Sequence, residues 1–217
     1  MRHVFVETNW LVDYAAPVHK RVPAAAGLLE KARRGELLLH LPSVCVVEAK
    51  RKIHQFQPRK TAEEFRNYVR WAHVEGELSD GDRNVVLANL SKLESRVSKD
   101  LKDLDETIAS LKKESGLKVF SPSERHLEMS TELSFQLNLE PFDQTILAGI
   151  LVRAEEILLE GKDAELVFCE KDGDLQPWDK ARGPRRDLRD LYDSHRIWVY
   201  GDFDMTFPER PDGWPPK

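Results

Sequence analysis

Val4-Phe5-Val6-Glu7-Thr8-Asn9, near the start of the chain, is an apolar run that ends in polar residues. Three apolar residues are too few for a helix, so the run predicts a buried strand. Similar runs occur at 37–41, 117–120, 165–169 and 196–200, and segments with helical spacing separate them. This alternation predicts right-handed crossovers in a parallel sheet that helices cover on both faces. We therefore expect an α/β fold of three layers around a central parallel sheet of about five strands.

The length and composition fit one folded domain with additions. The chain has 217 residues, of which 41% are hydrophobic and 33% are charged, and its formal net charge is -5. This length accommodates one domain with an insertion, and we place that domain at 1–205. The tail at 206–217 is rich in proline, so we expect it to be extended or disordered.

The sequence favours a cytoplasmic location. No stretch approaches the roughly 20 apolar residues that cross a bilayer, and the N-terminus does not resemble a secretory signal. Cys45 and Cys169 both lie in apolar surroundings. Buried, reduced thiols are the simplest account of them, and a disulfide between the two is the less favoured alternative.

A long segment from Ser79 to Ser115 contains no proline, and Gly81 is its one glycine. Its apolar residues recur at steps of three and four from Val86 to Leu111, which predicts either one helix about 50 Å long or a helical hairpin. We expect a helical insertion at about 79–115. Its apolar stripe is either an internal packing seam, a lid, or the contact surface of a homodimer.

Four carboxylates occupy comparable places relative to the predicted strands. One follows the first strand, one lies in the helix after the second strand, one heads the helix before the fourth strand, and one follows the fourth strand: Glu7, Glu48, Asp143 and Asp172. Ligands of such sheets bind beyond the carboxyl ends of the strands, and a crossover helix that leads into a strand begins at that same edge. The four carboxylates are therefore expected to converge, with Asp174 as a further ligand.

Crowded carboxylates repel one another, so a cation is expected among them. Mg²⁺ or Mn²⁺ is the natural occupant, because hard cations prefer oxygen ligands. A pair of such ions can activate a water and stabilise the leaving oxygen of a phosphodiester. Glu7 is the hardest to explain by structure alone, because a carboxylate that ends an apolar strand is poorly solvated, whereas the other acids have structural alternatives. Asp143 would favour a helix N-terminus, Glu48 would be a surface residue, and Asp172 and Asp174 would form a turn around Gly173.

The ordered set of motifs resembles the pattern of PIN domains. That pattern consists of a strand ending in an acid and a hydroxyl residue, a Ser-x-x-x-x-Glu helix, an Asp that heads an apolar helix, and a final pair of acids after a strand. The matching segments are Val4–Asn9, Ser43–Glu48, Asp143–Ala148 and Glu170–Asp174. Three features depart from it: Glu7 replaces the usual Asp, Glu170 replaces a Thr or Ser, and the long helix exceeds a minimal member.

The resemblance implies a Mg²⁺- or Mn²⁺-dependent endoribonuclease. Many bacterial members are toxins of toxin–antitoxin pairs, which would make a protein inhibitor a second partner beside RNA. In this assignment the main ion is held by Glu7, Glu48 and Asp143. Asp172 completes the site, and Asp174 is a secondary ligand. Thr8, Asn9 and Ser43 would support them. The alternatives are a structure-specific DNA nuclease and a PIN-like module that binds nucleic acid or protein with weak catalysis or none.

Basic residues cluster in two places despite the acidic net charge. The candidates for nucleic-acid contacts are Lys50, Arg51, Lys52, Arg182, Arg185 and Arg186. Each cluster taken alone is as compatible with a solvated helix face as with a track for phosphates.

Overall fold

The computed structural model describes residues 1–16, 21–55, 59–161, 163–171, 173–179 and 183–205. The chain forms two compact units. The sheet unit comprises Met1–Ala49 with Ile108–Lys217, and the helical unit comprises Lys50–Thr107. The tail expected at 206–217 lies outside the described residues.

Five parallel strands form the centre of the sheet unit, and an antiparallel pair of two-residue strands follows the fourth of them. In chain order the strands are β1 (Arg2–Val6), β2 (Leu37–Pro42), β3 (Leu117–Phe120), β4 (Glu165–Cys169), β5 (Trp178–Asp179), β6 (Gly183–Pro184) and β7 (Ile197–Tyr200). The central sheet has the order β3-β2-β1-β4-β7, and all of its pairings are parallel. The five-stranded parallel sheet expected from the sequence is confirmed.

The strand order locates the crevice of this sheet. From β1 the chain proceeds to β2 and β3 on one side, and then returns to place β4 and β7 on the other side. The crossovers therefore diverge at the carboxyl ends of β1 and β4. In sheets of this kind the diverging connections leave a crevice at that point, and ligands bind there.

The helices follow the expected segments closely. They are α1 (Thr8–Ala15), α2 (Pro23–Arg33), α3 (Ser43–Gln55), α4 (Arg59–Val74), α5 (Asp80–Leu111), α6 (Glu124–Gln136), α7 (Pro141–Glu160) and α8 (Arg186–Ser194). Local chemistry explains several boundaries. Pro23 and Pro141 lie in the first turns of α2 and α7, Ser123 caps α6, and α7 ends at Gly161.

α5 is one continuous helix of 32 residues, about 48 Å long. Of the two sequence alternatives, the single helix is therefore the one observed. Its apolar stripe is not uniform, because Leu93 is 64% exposed whereas Leu104, Ile108 and Leu111 are at most 3% exposed. The last part of the stripe is thus buried within the chain and does not offer a surface to a second subunit.

The core of the sheet unit is built from the strand interiors. Val4, Phe5 and Val6 are fully buried, because α-helices cover both faces of β1. Gly116, just before β3, is required by close packing: a Cβ there would lie 2.6 Å from the backbone of Ala32. Both cysteines are buried and free, as expected. Among the helices of the described residues, none is both long and apolar enough to cross a membrane.

Candidate functional site

Glu7 is the first residue after β1, at the crevice. It is 4% exposed, and its Oε2 accepts a hydrogen bond of 2.8 Å from the backbone N–H of Asn9. Glu7 is therefore also the N-cap of α1, which begins at Thr8. A cap is needed here because the first N–H groups of a helix have no partner within it. One oxygen of the carboxylate thus has a structural role.

Glu48 lies in α3, the helix that leaves the carboxyl end of β2, and is 8% exposed. Its Oε2 accepts a hydrogen bond of 2.5 Å from Oγ1 of Thr8, which is fully buried. The sequence predicted that Thr8 would support the first carboxylate. In the structure Thr8 supports Glu48, and Asn9 supports Glu7 through its backbone rather than its side chain.

Glu170 was not among the site residues expected from the sequence, which noted it as a departure from the PIN pattern that either adds a carboxylate or points to solvent. It follows β4 directly and is 1% exposed. Its backbone N–H donates to the carbonyl of Tyr200 at 2.8 Å, which continues the pairing of β4 with β7. The parallel register pairs Val6 with Cys169, so Glu7 and Glu170 come next on adjacent strands. The signal was present in the sequence, because both residues are acids that terminate an apolar run.

The pKa of the Cys45 thiol on α3 is sensitive to the charges of these carboxylates. Burial raises the pKa of this thiol well above its usual range. The negative charges of Glu7, Glu48 and Glu170 raise the pKa further, whereas a hydrogen bond with Thr8 lowers it. The geometry agrees with this, because Glu48 bonds to Thr8, the residue after Glu7, and Glu7 and Glu170 follow paired positions on β1 and β4.

Asp143 occupies the first turn of α7, where it is half-buried. A Cβ on Gly149, further along α7, would be in van der Waals contact with Phe120 and Pro42, which end β3 and β2. Asp143 precedes Gly149 by six residues, about 9 Å of helix rise. Because α7 leads into β4, its first turn lies beyond the carboxyl ends of β2 and β3. Asp172 lies outside the described residues, and Asp174 is exposed.

The donor chemistry of the site fits a hard divalent cation, because its donors are carboxylate and hydroxyl oxygens. Among the described residues, however, no three His, Cys, Asp or Glu side chains are arranged as a ready-formed metal site. The ligand set expected from the sequence is thus not pre-assembled in that part of the chain. The contacts link Glu48 to Thr8, the residue after Glu7, and place Glu170 after the strand position that pairs with Val6.

The expected nucleic-acid contacts have varied surroundings. Lys50 forms an ion pair of 2.7 Å with Asp105 in the helical unit. Arg185 donates hydrogen bonds to backbone carbonyls of the loop after β4. Arg51 and Arg186 are exposed and Lys52 is half-buried, whereas Arg182 is outside the described residues. Ser43, expected to support the site, is the first residue of α3.

Neither the models of known protein families nor the curated proteins yield a match to this chain. The likeness to PIN domains therefore depends on the motifs and on their order along the chain.

Proposed function

We propose that the protein is a Mg²⁺- or Mn²⁺-dependent endoribonuclease of the PIN-domain type. One observation carries the proposal: three buried carboxylates are linked at the crevice of a parallel sheet. Glu7 and Glu170 follow paired strand positions, and Glu48 accepts a hydrogen bond from Thr8, the residue after Glu7. Neighbouring carboxylates repel one another, and their oxygens are the ligands that hard divalent cations prefer. Several buried carboxylates at a ligand crevice therefore favour a site that takes up cations.

In this proposal Glu7, Glu48 and Asp143 hold the ion, and Asp172 and Asp174 are further ligands. When bound, such an ion polarises the phosphoryl oxygens and activates a water for attack on the phosphodiester. The residues around the ligands orient them. Thr8 fixes one oxygen of Glu48, and the backbone N–H of Asn9 fixes one oxygen of Glu7.

A second candidate is a module of the same fold that binds nucleic acid without cleaving it. It is favoured by the structural role of Glu7, whose carboxylate caps α1. An acid that serves as a helix cap needs no catalytic reason to be present. The nuclease is expected to lose RNA cleavage when a carboxylate is exchanged for an amide. The binding module is expected to bind RNA without cleaving it, and to bind it equally well after the exchange.

The test is cleavage of end-labelled single-stranded RNA by the full chain with Mg²⁺, with Mn²⁺ and with a chelator, beside a DNA strand of the same sequence. We expect metal-dependent cleavage of RNA that Asp143→Asn and Glu48→Gln each reduce about 100-fold or more. The matched control is Glu165→Gln, at the amino end of β4, where Glu165 forms an exposed ion pair with Arg2. It is expected to keep the wild-type rate.

Cleavage that persists in chelator, or in Asp143→Asn at saturating metal, contradicts the assignment. RNA binding without cleavage by wild type supports the second candidate instead. Preference for the DNA strand would identify a deoxyribonuclease with the same carboxylate site.

A further inference from the structure

The loop that follows β4 contains the last acids of the proposed site, and α8 holds its backbone. Arg185, which immediately precedes α8, donates from Nη1 to the carbonyl of Asp174 at 2.5 Å and to that of Gly173 at 3.3 Å. Its own backbone N–H donates to the carbonyl of Pro177 at 2.9 Å. One residue thus binds three carbonyls of a loop that is only a few residues long.

Tyr192, one and a half turns into α8, provides a second attachment. Its side chain is fully buried, and its hydroxyl donates to the carbonyl of Leu175 at 2.8 Å. Burial raises the pKa of this hydroxyl, and the charge of Glu170 raises it further. The ring also packs against Phe168 of β4, with 6.1 Å between the ring centroids.

Gln176 closes the loop on itself. It is 8% exposed, and its Nε2 donates to the carbonyl of Glu170 at 2.8 Å. Its backbone N–H donates to the carbonyl of Gly173 at 3.3 Å. The two ends of the segment 170–176 are therefore tied together, and α8 ties the middle of that segment to the sheet unit.

We propose that Arg185 and Tyr192 are positioning residues that hold the acidic loop after β4 in register with the carboxylates after β1 and on α3. The inference rests on the proposed function, since it assigns these residues a role in that same site. The physical reason is that a loop keeps a ligand in place only if its own backbone is held. A charge-assisted bond to a carbonyl is stronger than a neutral one, so Arg185 is the stronger attachment.

This role differs from the nucleic-acid contact that the sequence predicted for Arg185. An RNA contact binds substrate and transition state alike, so its loss raises KM and leaves kcat unchanged. A positioning residue acts through the metal ligands, so its loss weakens metal affinity and lowers kcat while KM changes little. The two roles are therefore separable by experiment.

The experiment measures Mn²⁺ affinity by titration calorimetry, and kcat and KM on single-stranded RNA, for the full chain and four variants. Tyr192→Phe removes one hydroxyl and keeps the ring, and Arg185→Ala removes the guanidinium. Arg185→Lys restores the charge and one donor. The control Arg34→Ala removes an exposed arginine that pairs with Glu36 on the surface. Urea unfolding of each variant in the absence of metal reports its stability.

We expect the Kd for Mn²⁺ to rise about 10-fold or more in Tyr192→Phe and Arg185→Ala, with kcat reduced and KM within about twofold of wild type. Arg185→Lys is expected to recover part of the loss, and Arg34→Ala to match wild type. The inference is overturned if the variants lose only stability, or if KM alone rises, while wild type binds Mn²⁺ and cleaves RNA. If wild type neither binds Mn²⁺ nor cleaves RNA, the proposed function fails and the inference fails with it.

Discussion

His40 on β2 is expected to make the sheet unit sensitive to acid. Its ring is fully buried, and its Nε2 lies 3.0 Å from Nδ1 of His3 on β1. Its Nδ1 is buried without a hydrogen-bond partner among the described residues. Burial lowers the pKa of His40 from 6.5 to about 3, and the positive charges of His3, Arg153 and Lys118 contribute to the lowering. The folded chain therefore keeps this ring neutral.

The direction and size of the effect follow from this pKa. A base whose pKa is lowered by folding stabilises the fold above its unfolded pKa, and the contribution is lost as the pH falls below about 6.5. At pH 5 the unfolded ring is protonated and the folded ring is not. A pH of 5 lies roughly 1.5 units below the unfolded pKa of about 6.5. This gap corresponds to a loss of about 2 kcal/mol in the free energy of unfolding relative to pH 7. The loss should continue to grow until the pH approaches the folded pKa of about 3.

The assay is urea unfolding at pH 7 and at pH 5. Hydrogen exchange of the β1 and β2 amides is the readout, so that the helical unit does not contribute to the measured free energy of unfolding. His40→Leu removes the titrating ring. Between pH 7 and pH 5 the free energy of unfolding of this variant should therefore fall by about 2 kcal/mol less than that of wild type. Leu38→Val on the same strand is the control, and it should lose stability equally at both. If His40→Leu and wild type show the same dependence on pH, the reasoning about the buried ring is refuted.

Three further predictions follow from single contacts. Gly116→Ala should lower the free energy of unfolding by about 3 kcal/mol, because its Cβ would collide with the backbone of α2, whereas Gly27→Ala has open space and should lose nothing in the same urea titration. Thr8→Val should lower the free energy of unfolding by about 1.5–3 kcal/mol in the same titration, because it removes the hydroxyl that donates to Glu48. Thr8→Ser keeps a hydroxyl and should have wild-type stability. A Thr8→Val protein as stable as wild type would contradict this prediction. Wild type should cleave RNA faster with Mn²⁺ than with Mg²⁺, because the longer arm of Glu7 distorts an octahedral site, and Glu7→Asp should narrow the gap. Glu7→Gln should lose cleavage with both ions, and wild-type rates in that variant would exclude Glu7 as a ligand.

The kinds of elements and their order were predictable because they depend on neighbours along the chain. β3 and β4 have the predicted boundaries, since an apolar run of four or five residues between polar residues is too short for a helix and fits a buried strand. Pro141 and Gly161 limit α7 through their own backbone properties. The two-residue strands β5 and β6 were missed, because so short a pairing leaves no periodic pattern.

By itself, the sequence also determined the edge at which chemistry is expected, because the alternation of strands and helices specifies which strand ends share an edge. The tertiary structure alone decided which side chains meet there. Glu170 is buried because β4 lies between β1 and β7, and Thr8 bonds to Glu48 because α3 passes beside the start of α1. Arg185 binds a loop rather than solvent because α8 packs beside β7. The bond between Thr8 and Glu48 joins residues 40 positions apart, and local patterns carry no information about distance across a sheet.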